Sequence, residues 1–199
     1  MAIPAAGDSR KEGMRRQIRC LPIGNRQIRV IDGLFSAQEV ASLYAFLQKL
    51  RYRLDEIDAA DTAYAPHWKV EFPPELGSGD PMFRRCVDLT VELLGEQALR
   101  LKRIHANLHL YGDMQFPHTD LIGGVTALYY ANPDWDEKWM GETVFYDENR
   151  EPLYAIAPKP GRIVIFDADI VHRGGVPSRE CYRPRISVAF KFKRVSDQP

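Results

Sequence analysis

The spacing of apolar residues changes part-way along the chain. Val40, Leu43, Tyr44, Leu47 and Leu50 recur every three or four positions, which gathers them on one side of an α-helix. Ser36 precedes them and Glu39 follows it by three, a capping box that marks the helix start. A second helix is predicted from Asp80-Pro81, a cap residue followed by proline in the first turn. It carries Phe83, Val87, Val91 and Leu94 and ends near Gly95. From residue 102 onward the period becomes two. In RIHANLHLY, Ile104, Ala106, Leu108 and Leu110 share one side of a strand; Arg103, His105, Asn107, His109 and Tyr111 share the other. Further strands are predicted at 124–132, 142–146, 161–169 and 185–192, with Pro- and Gly-bearing turns between them, and a short one at 27–33. Residues 55–79 read as loops and residues 1–20 as a loosely ordered tail.

Helices followed by short strands predict an α+β fold with a single domain over residues 21–199. Its helical part covers about 34–100 and its core about 102–193, a two-sheet jelly roll with the helices packed on one sheet. Such a barrel offers the polar side of 103–111 two destinations, an internal cavity or solvent.

Charge and cysteine content narrow the function classes. Lys plus Arg and Asp plus Glu both number 27, so the net charge is zero and the basic surface needed for nucleic acid is not expected. Arg10, Lys11, Arg15, Arg16 and Arg19 cluster early and read as a solvated tail. The 3 cysteines form no C-x-x-C pair, so neither a zinc knuckle nor a disulfide framework is indicated, and reduced thiols fit a cytoplasmic protein. No apolar run approaches the ~20 residues of a membrane span, and MAIPAAGDSRKEG lacks the apolar stretch of a signal peptide.

Three residues carry the candidate chemistry: His118 and Asp120 in HTD, and His172 in DIVHRGG. Two positions apart on an extended chain, His118 and Asp120 point the same way. With His172 they can occupy one face of an octahedral metal and leave three positions open, the facial triad of mononuclear iron oxygenases. Asp167 and Asp169 are rival carboxylates, and His105 and His109 are rival imidazoles. In PRISVAFKF, Arg185 and Ser187 share a strand face with Arg183, while Ile186, Val188, Phe190 and Phe192 take the other. An arginine turned into a barrel needs an anion, and its planar fork suits a carboxylate.

NLHLYGDMQFPHTD, GGVTALYYANPDWDEKWMGETVFYD, KPGRIVIFDADIVHRGGVPS and RPRISVAFKF together resemble the 2-oxoglutarate and Fe(II)-dependent oxygenases, in particular their prolyl-4-hydroxylase-like branch. The resemblance spans about residues 104–193. It implies a double-stranded β-helix and a dioxygenase using Fe(II), 2-oxoglutarate and O2. His118, Asp120 and His172 would ligate iron, and Arg185 of the R-x-S pair with Ser187 would hold the distal carboxylate of 2-oxoglutarate. Tyr111 matches a tyrosine that contacts that carboxylate, and Asn107 a polar position lining the same pocket. The text M-G-E-T departs from the more common G-G-E-T by placing Met140 where a glycine is usual. Substrate class is weakly encoded: Trp139, Tyr129 and Arg183 are candidate lining residues. The first expectation is hydroxylation of a small, amino-acid-like molecule with release of succinate and CO2. Alternatives are a peptidyl hydroxylase acting on a protein, or a cupin-like module that binds without turnover.

Overall fold

The computed structural model describes residues 16–95 and 99–195. Two strands, β1 (Gln17–Ile23) and β2 (Arg26–Asp32), come first among the described residues and form an antiparallel hairpin. The tail expected over residues 1–20 is therefore too long: residues 17–20 pair with β2, and residues 1–15 lie outside the described part. Helix α1 (Ala37–Leu47) starts at the capping box, with Glu39 N–H donating to Ser36 Oγ and Ser36 N–H donating to the Glu39 carboxylate. Next come β3 (Arg53–Glu56), β4 (His67–Phe72) and the short helix α2 (Leu76–Gly79). Helix α3 (Pro81–Leu94) has Asp80 as its N-cap and left-handed Gly95 as its C-cap. Seven strands follow: β5 (Leu99–His109), β6 (Gly124–Tyr130), β7 (Thr143–Tyr146), β8 (Pro152–Ile156), β9 (Ile163–Asp167), β10 (His172–Arg173) and β11 (Arg185–Arg194).

The strands form an eight-stranded antiparallel sheet in the order β1-β2-β9-β6-β11-β5-β4-β3, and a second sheet in the order β10-β7-β8. Together they make the double-stranded β-helix. The outer face of the large sheet is apolar. Ile104 and Ala106 of β5, Ile186, Val188, Phe190 and Phe192 of β11, and Val125 and Ala127 of β6 meet Val40, Leu43 and Leu47 of α1 and Phe83 and Leu89 of α3. The helices bury that face as expected. A second apolar cluster lies between the sheets and includes Ile28, Leu128, Phe145, Val164 and Phe166.

The segment read as loops over 55–79 departs from expectation, since β4 lies within it and pairs with β5 along Phe72 to Trp68. Its sequence HWKVEF does alternate, but over only six residues set among Asp-, Ala-, Pro- and Gly-rich text, and of its polar residues only His67 lines the cavity. Similarly, β8 is a short strand with an exposed side.

The inward face of β5 and β11 positions the site. Arg103, His105, Asn107 and His109 of β5, and Arg185, Ser187, Ala189 and Lys191 of β11, line one cavity of about 420 Å³. The polar side of 103–111 thus faces the interior up to His109, where the strand ends.

Candidate active site

His118, Asp120 and His172 offer three ligand atoms that lie within 4.8 Å of one another. Backbone pairing brings them together. His118 N–H donates to His172 O and His172 N–H to His118 O, each at 2.9 Å, and Asp120 N–H donates to Ala168 O at 2.7 Å. The segment 118–120 is thereby pinned along the turn that leads from β9 into β10. Asp120 Oδ1 lies 3.6 Å from His118 Nε2 and Oδ2 lies 3.5 Å from His172 Nε2. Ligands about 2.1 Å from one ion at right angles stand roughly 3 Å apart, so a small inward shift closes the set on a metal.

Surrounding groups fix the orientation of each ligand. His118 Nδ1 lies 2.9 Å from Phe116 O, and His172 Nδ1 lies 2.9 Å from Ile170 O. A carbonyl only accepts, so both protons sit on Nδ1 and both Nε2 lone pairs face the centre. Asp58 adds a brace: its Oδ2 accepts Phe116 N–H at 2.7 Å and its Oδ1 lies 3.3 Å from His118 Nδ1. Thr126 Oγ1 donates to Asp120 Oδ2 at 2.6 Å, and the Lys191 ammonium pairs with the same oxygen, leaving Oδ1 open. Burial works against ionisation of Asp120, but Lys191, His172 and His118 outweigh it and hold the carboxyl well below the usual carboxylate range. Burial pushes His172 down to about 4, against the pull of Asp120, so its imidazole is neutral and ready to ligate at neutral pH.

Arg185 lies at the inner end of the cavity and is 1 % exposed. Its Nε donates to Gly141 O at 2.8 Å, Nη2 to Thr143 Oγ1 at 3.1 Å and Nη1 to Ser187 Oγ at 3.5 Å. The guanidinium stands 5.2 Å from the Tyr130 ring centre. Among the described residues no carboxylate lies within 4.0 Å of it, so its charge is buried without a counter-ion. Gly141, Thr143 and Ser187 take three of its five N–H groups and the Tyr130 hydroxyl is a further partner, which leaves donor capacity for an incoming carboxylate.

Of the other residues singled out from sequence, Asn107 and Ser187 line this cavity. Three do not. Tyr111 falls beyond the end of β5, where alternation stops, and is 64 % exposed. Tyr129 points to the opposite face of β6 and packs edge-on against Phe35 beneath the helices. Trp139 lies in a surface turn, packed on Trp135 and under the Arg183 guanidinium, which itself pairs with Asp134. Arg183 therefore lies outside the cavity that Arg185 lines. The rival carboxylates are engaged elsewhere, Asp167 with Arg194 and Asp169 with Arg26. His105 and His109 line the cavity but lie outside the triad. Sequence reading missed Lys191, Thr126, Thr143 and Asp58. Lys191 shares inward parity with Arg185 and Ser187 and was within reach of the pattern; Asp58 sits in an aperiodic segment that carries no signal.

The profile described as the 2OG-Fe(II) oxygenase superfamily matches residues 106–193, the stretch that holds the triad and Arg185. The matched region is that of a 2OG-Fe(II) oxygenase. The protein is a dioxygenase, with Fe(II), 2-oxoglutarate and O2 as cofactors. No curated protein matches the chain by sequence. Solved structures do match in fold. The chain is similar to a Pseudomonas putida prolyl-4-hydroxylase (16% identity, 86% of this chain and 95% of that one, TM-score 0.60). It is similar to a Trichoplax adhaerens prolyl hydroxylase in complex with a hypoxia inducible factor peptide fragment (16%, 84% and 83%, 0.60). It is also similar to EctD from S. alaskensis with 2-oxoglutarate and 5-hydroxyectoine (17%, 86% and 73%, 0.59). Among the described residues no helix is long and apolar enough to cross a membrane.

Proposed function

We propose that this oxygenase hydroxylates a small, amino-acid-like molecule, with His118, Asp120 and His172 holding Fe(II) and Arg185 holding the distal carboxylate of 2-oxoglutarate. The observation that carries the metal assignment is the gathering of two Nε2 atoms with free lone pairs and one carboxylate within 4.8 Å of one another. The cosubstrate assignment rests on a buried guanidinium with spare donors and no protein counter-ion. When bound, iron, 2-oxoglutarate and O2 supply oxidative decarboxylation to succinate and CO2, coupled to transfer of one oxygen atom.

This chain's residues orient, anchor and enclose. Phe116 O and Ile170 O keep the imidazoles in one tautomer. Thr126 and Lys191 hold the outer oxygen of Asp120, so the carboxylate ligates through the other. Gly141, Thr143 and Ser187 set the plane of the guanidinium. Phe145 and Phe166 pack on His172 and keep water from that side of the centre. A small substrate is favoured by the size of the cavity, about 420 Å³ for cosubstrate and substrate together. Its amino-acid-like character is favoured by a wall carrying both signs of charge: Glu56, Lys102, Arg103 and Lys191.

The test is succinate formation from 2-oxoglutarate in pools of amino acids and their derivatives. Succinate should require added Fe(II) and vanish in His172→Ala and Asp120→Ala. Iron-independent succinate, or its survival in either variant, overturns the assignment. Turnover with folded protein substrates, and none with small molecules, replaces the small-molecule reading with the peptidyl one.

A further inference from the structure

The inner end of the cavity holds more hydrogen-bond donors than the protein can satisfy. His109 faces Arg185 across the β5–β11 pairing. It is buried, and neither of its ring nitrogens has a hydrogen-bond partner. A neutral imidazole always carries one N–H, and a buried donor without an acceptor costs about 1–3 kcal/mol. One strand further out, the ring of His67 lies 5.3 Å from that of His109 at an interplanar angle of 32°. Gln115 Nε2 lies 3.2 Å from His67 Nε2; an amide nitrogen only donates, so the His67 proton is on Nδ1. His67 therefore offers His109 a ring face to pack on, while its own Nδ1–H looks toward Asp58, 4.0 Å away. Nothing in this wall supplies the acceptor that His109 lacks.

A carboxylate would. Its two oxygens accept about four hydrogen bonds. The remaining donor capacity of the Arg185 guanidinium and the one imidazole N–H of His109 would meet it from two neighbouring strands. We propose that His109 is a second donor to the distal carboxylate of 2-oxoglutarate, the part that the family resemblance gives to Tyr111. This rests on the reading of Arg185 above and extends it to the neighbouring strand. Tyr111 lies two residues on, past the end of β5, and its side chain is exposed.

The test measures binding without turnover. Mn(II)-loaded protein is titrated by calorimetry with 2-oxoglutarate and with 2-oxobutyrate, which keeps the keto-acid end and lacks the distal carboxylate. His109→Leu should weaken 2-oxoglutarate by ten-fold or more, the loss of roughly one hydrogen bond to a charged group, and leave 2-oxobutyrate unchanged. His109→Gln, which retains an N–H donor, should recover most of the affinity, and Tyr111→Phe should match the wild type. In the Zn(II)-loaded wild type, the His109 ring N–H resonance should move on adding 2-oxoglutarate and stay in place with 2-oxobutyrate; this readout holds even if His109→Leu does not fold. Equal weakening of both ligands, an unmoved resonance, or wild-type affinity in His109→Leu overturns the role of His109. If Arg185→Ala weakens 2-oxoglutarate while His109→Leu does not, only the extension fails. If the wild type binds both ligands equally, the Arg185 reading fails with it.

Discussion

Arg183 and Arg185 stand two apart in sequence and meet opposite fates. Arg183 is half-exposed, paired with Asp134 and laid over Trp139, and exposed ion pairs contribute about 0–1 kcal/mol. Arg185 is buried with spare donors. Removing one partner of a buried charge pair costs about 2–5 kcal/mol. Arg185→Ala should therefore raise the KM for 2-oxoglutarate by ~30-fold or more, and Arg183→Ala should leave it within about two-fold; steady-state succinate assays decide, and the reverse ranking moves the anchor. Met140 tells a different story at the same scale. It occupies φ 57 with ψ −138, a region that suits glycine. Such strain costs about 1–3 kcal/mol, and glycine returns about 0.5–1 kcal/mol of that through the entropy of the unfolded chain. Met140→Gly should raise stability by about 1 kcal/mol, seen as a higher urea midpoint at unchanged slope.

At the scale of elements, local chemistry and packing agree closely for the helices. The Ser36–Glu39 box closes on both sides, and Ser36→Ala should destabilise the fold by about 1 kcal/mol in thermal or urea unfolding. Strands were legible where a helix-facing apolar row alternates with a cavity-facing polar row, as in β5 and β11. They were hidden where the alternation is short and flanked by turn-forming residues, as in β4, whose Lys69 and Glu71 join Glu56 and Arg103 in one ion network. The turn after His172 is held by close backbone approach: a side chain at Gly175 would come within 2.4 Å of Glu142 O. That glycine keeps β10 in contact with the loop before β7.

Across the whole molecule, the ion network at the outer wall of the cavity sets an acid limit. Burial of Glu56 favours its neutral form, but hydrogen bonds from Arg103 and Lys69 outweigh that and bring the carboxyl down to about 2. The ordinary value in the unfolded chain is about 4.5. A lowered folded value means the stabilisation is complete above about pH 4.5 and is lost as pH falls toward about 2. Glu56→Gln should lower the urea midpoint at pH 7 and flatten its fall between about pH 4.5 and 2; parallel curves for the two proteins would remove Glu56 from the acid transition.

The sequence by itself determined the helices with their caps, the two faces of β5 and β11 and the H-x-D pair, because each is written in spacing along one element; the distal histidine and the arginine of β11 stand out through resemblance to a family's sequences. Only the tertiary structure decided that Tyr129 faces the helices, that Tyr111 lies beyond its strand, that Asp58 and Lys191 brace the ligands, and that His109 shares an end of the cavity with Arg185. Those outcomes depend on where strands end and which strands become neighbours. Backbone pairing between segments more than fifty residues apart, such as His118 with His172, fixes them, and no local pattern encodes such a pairing.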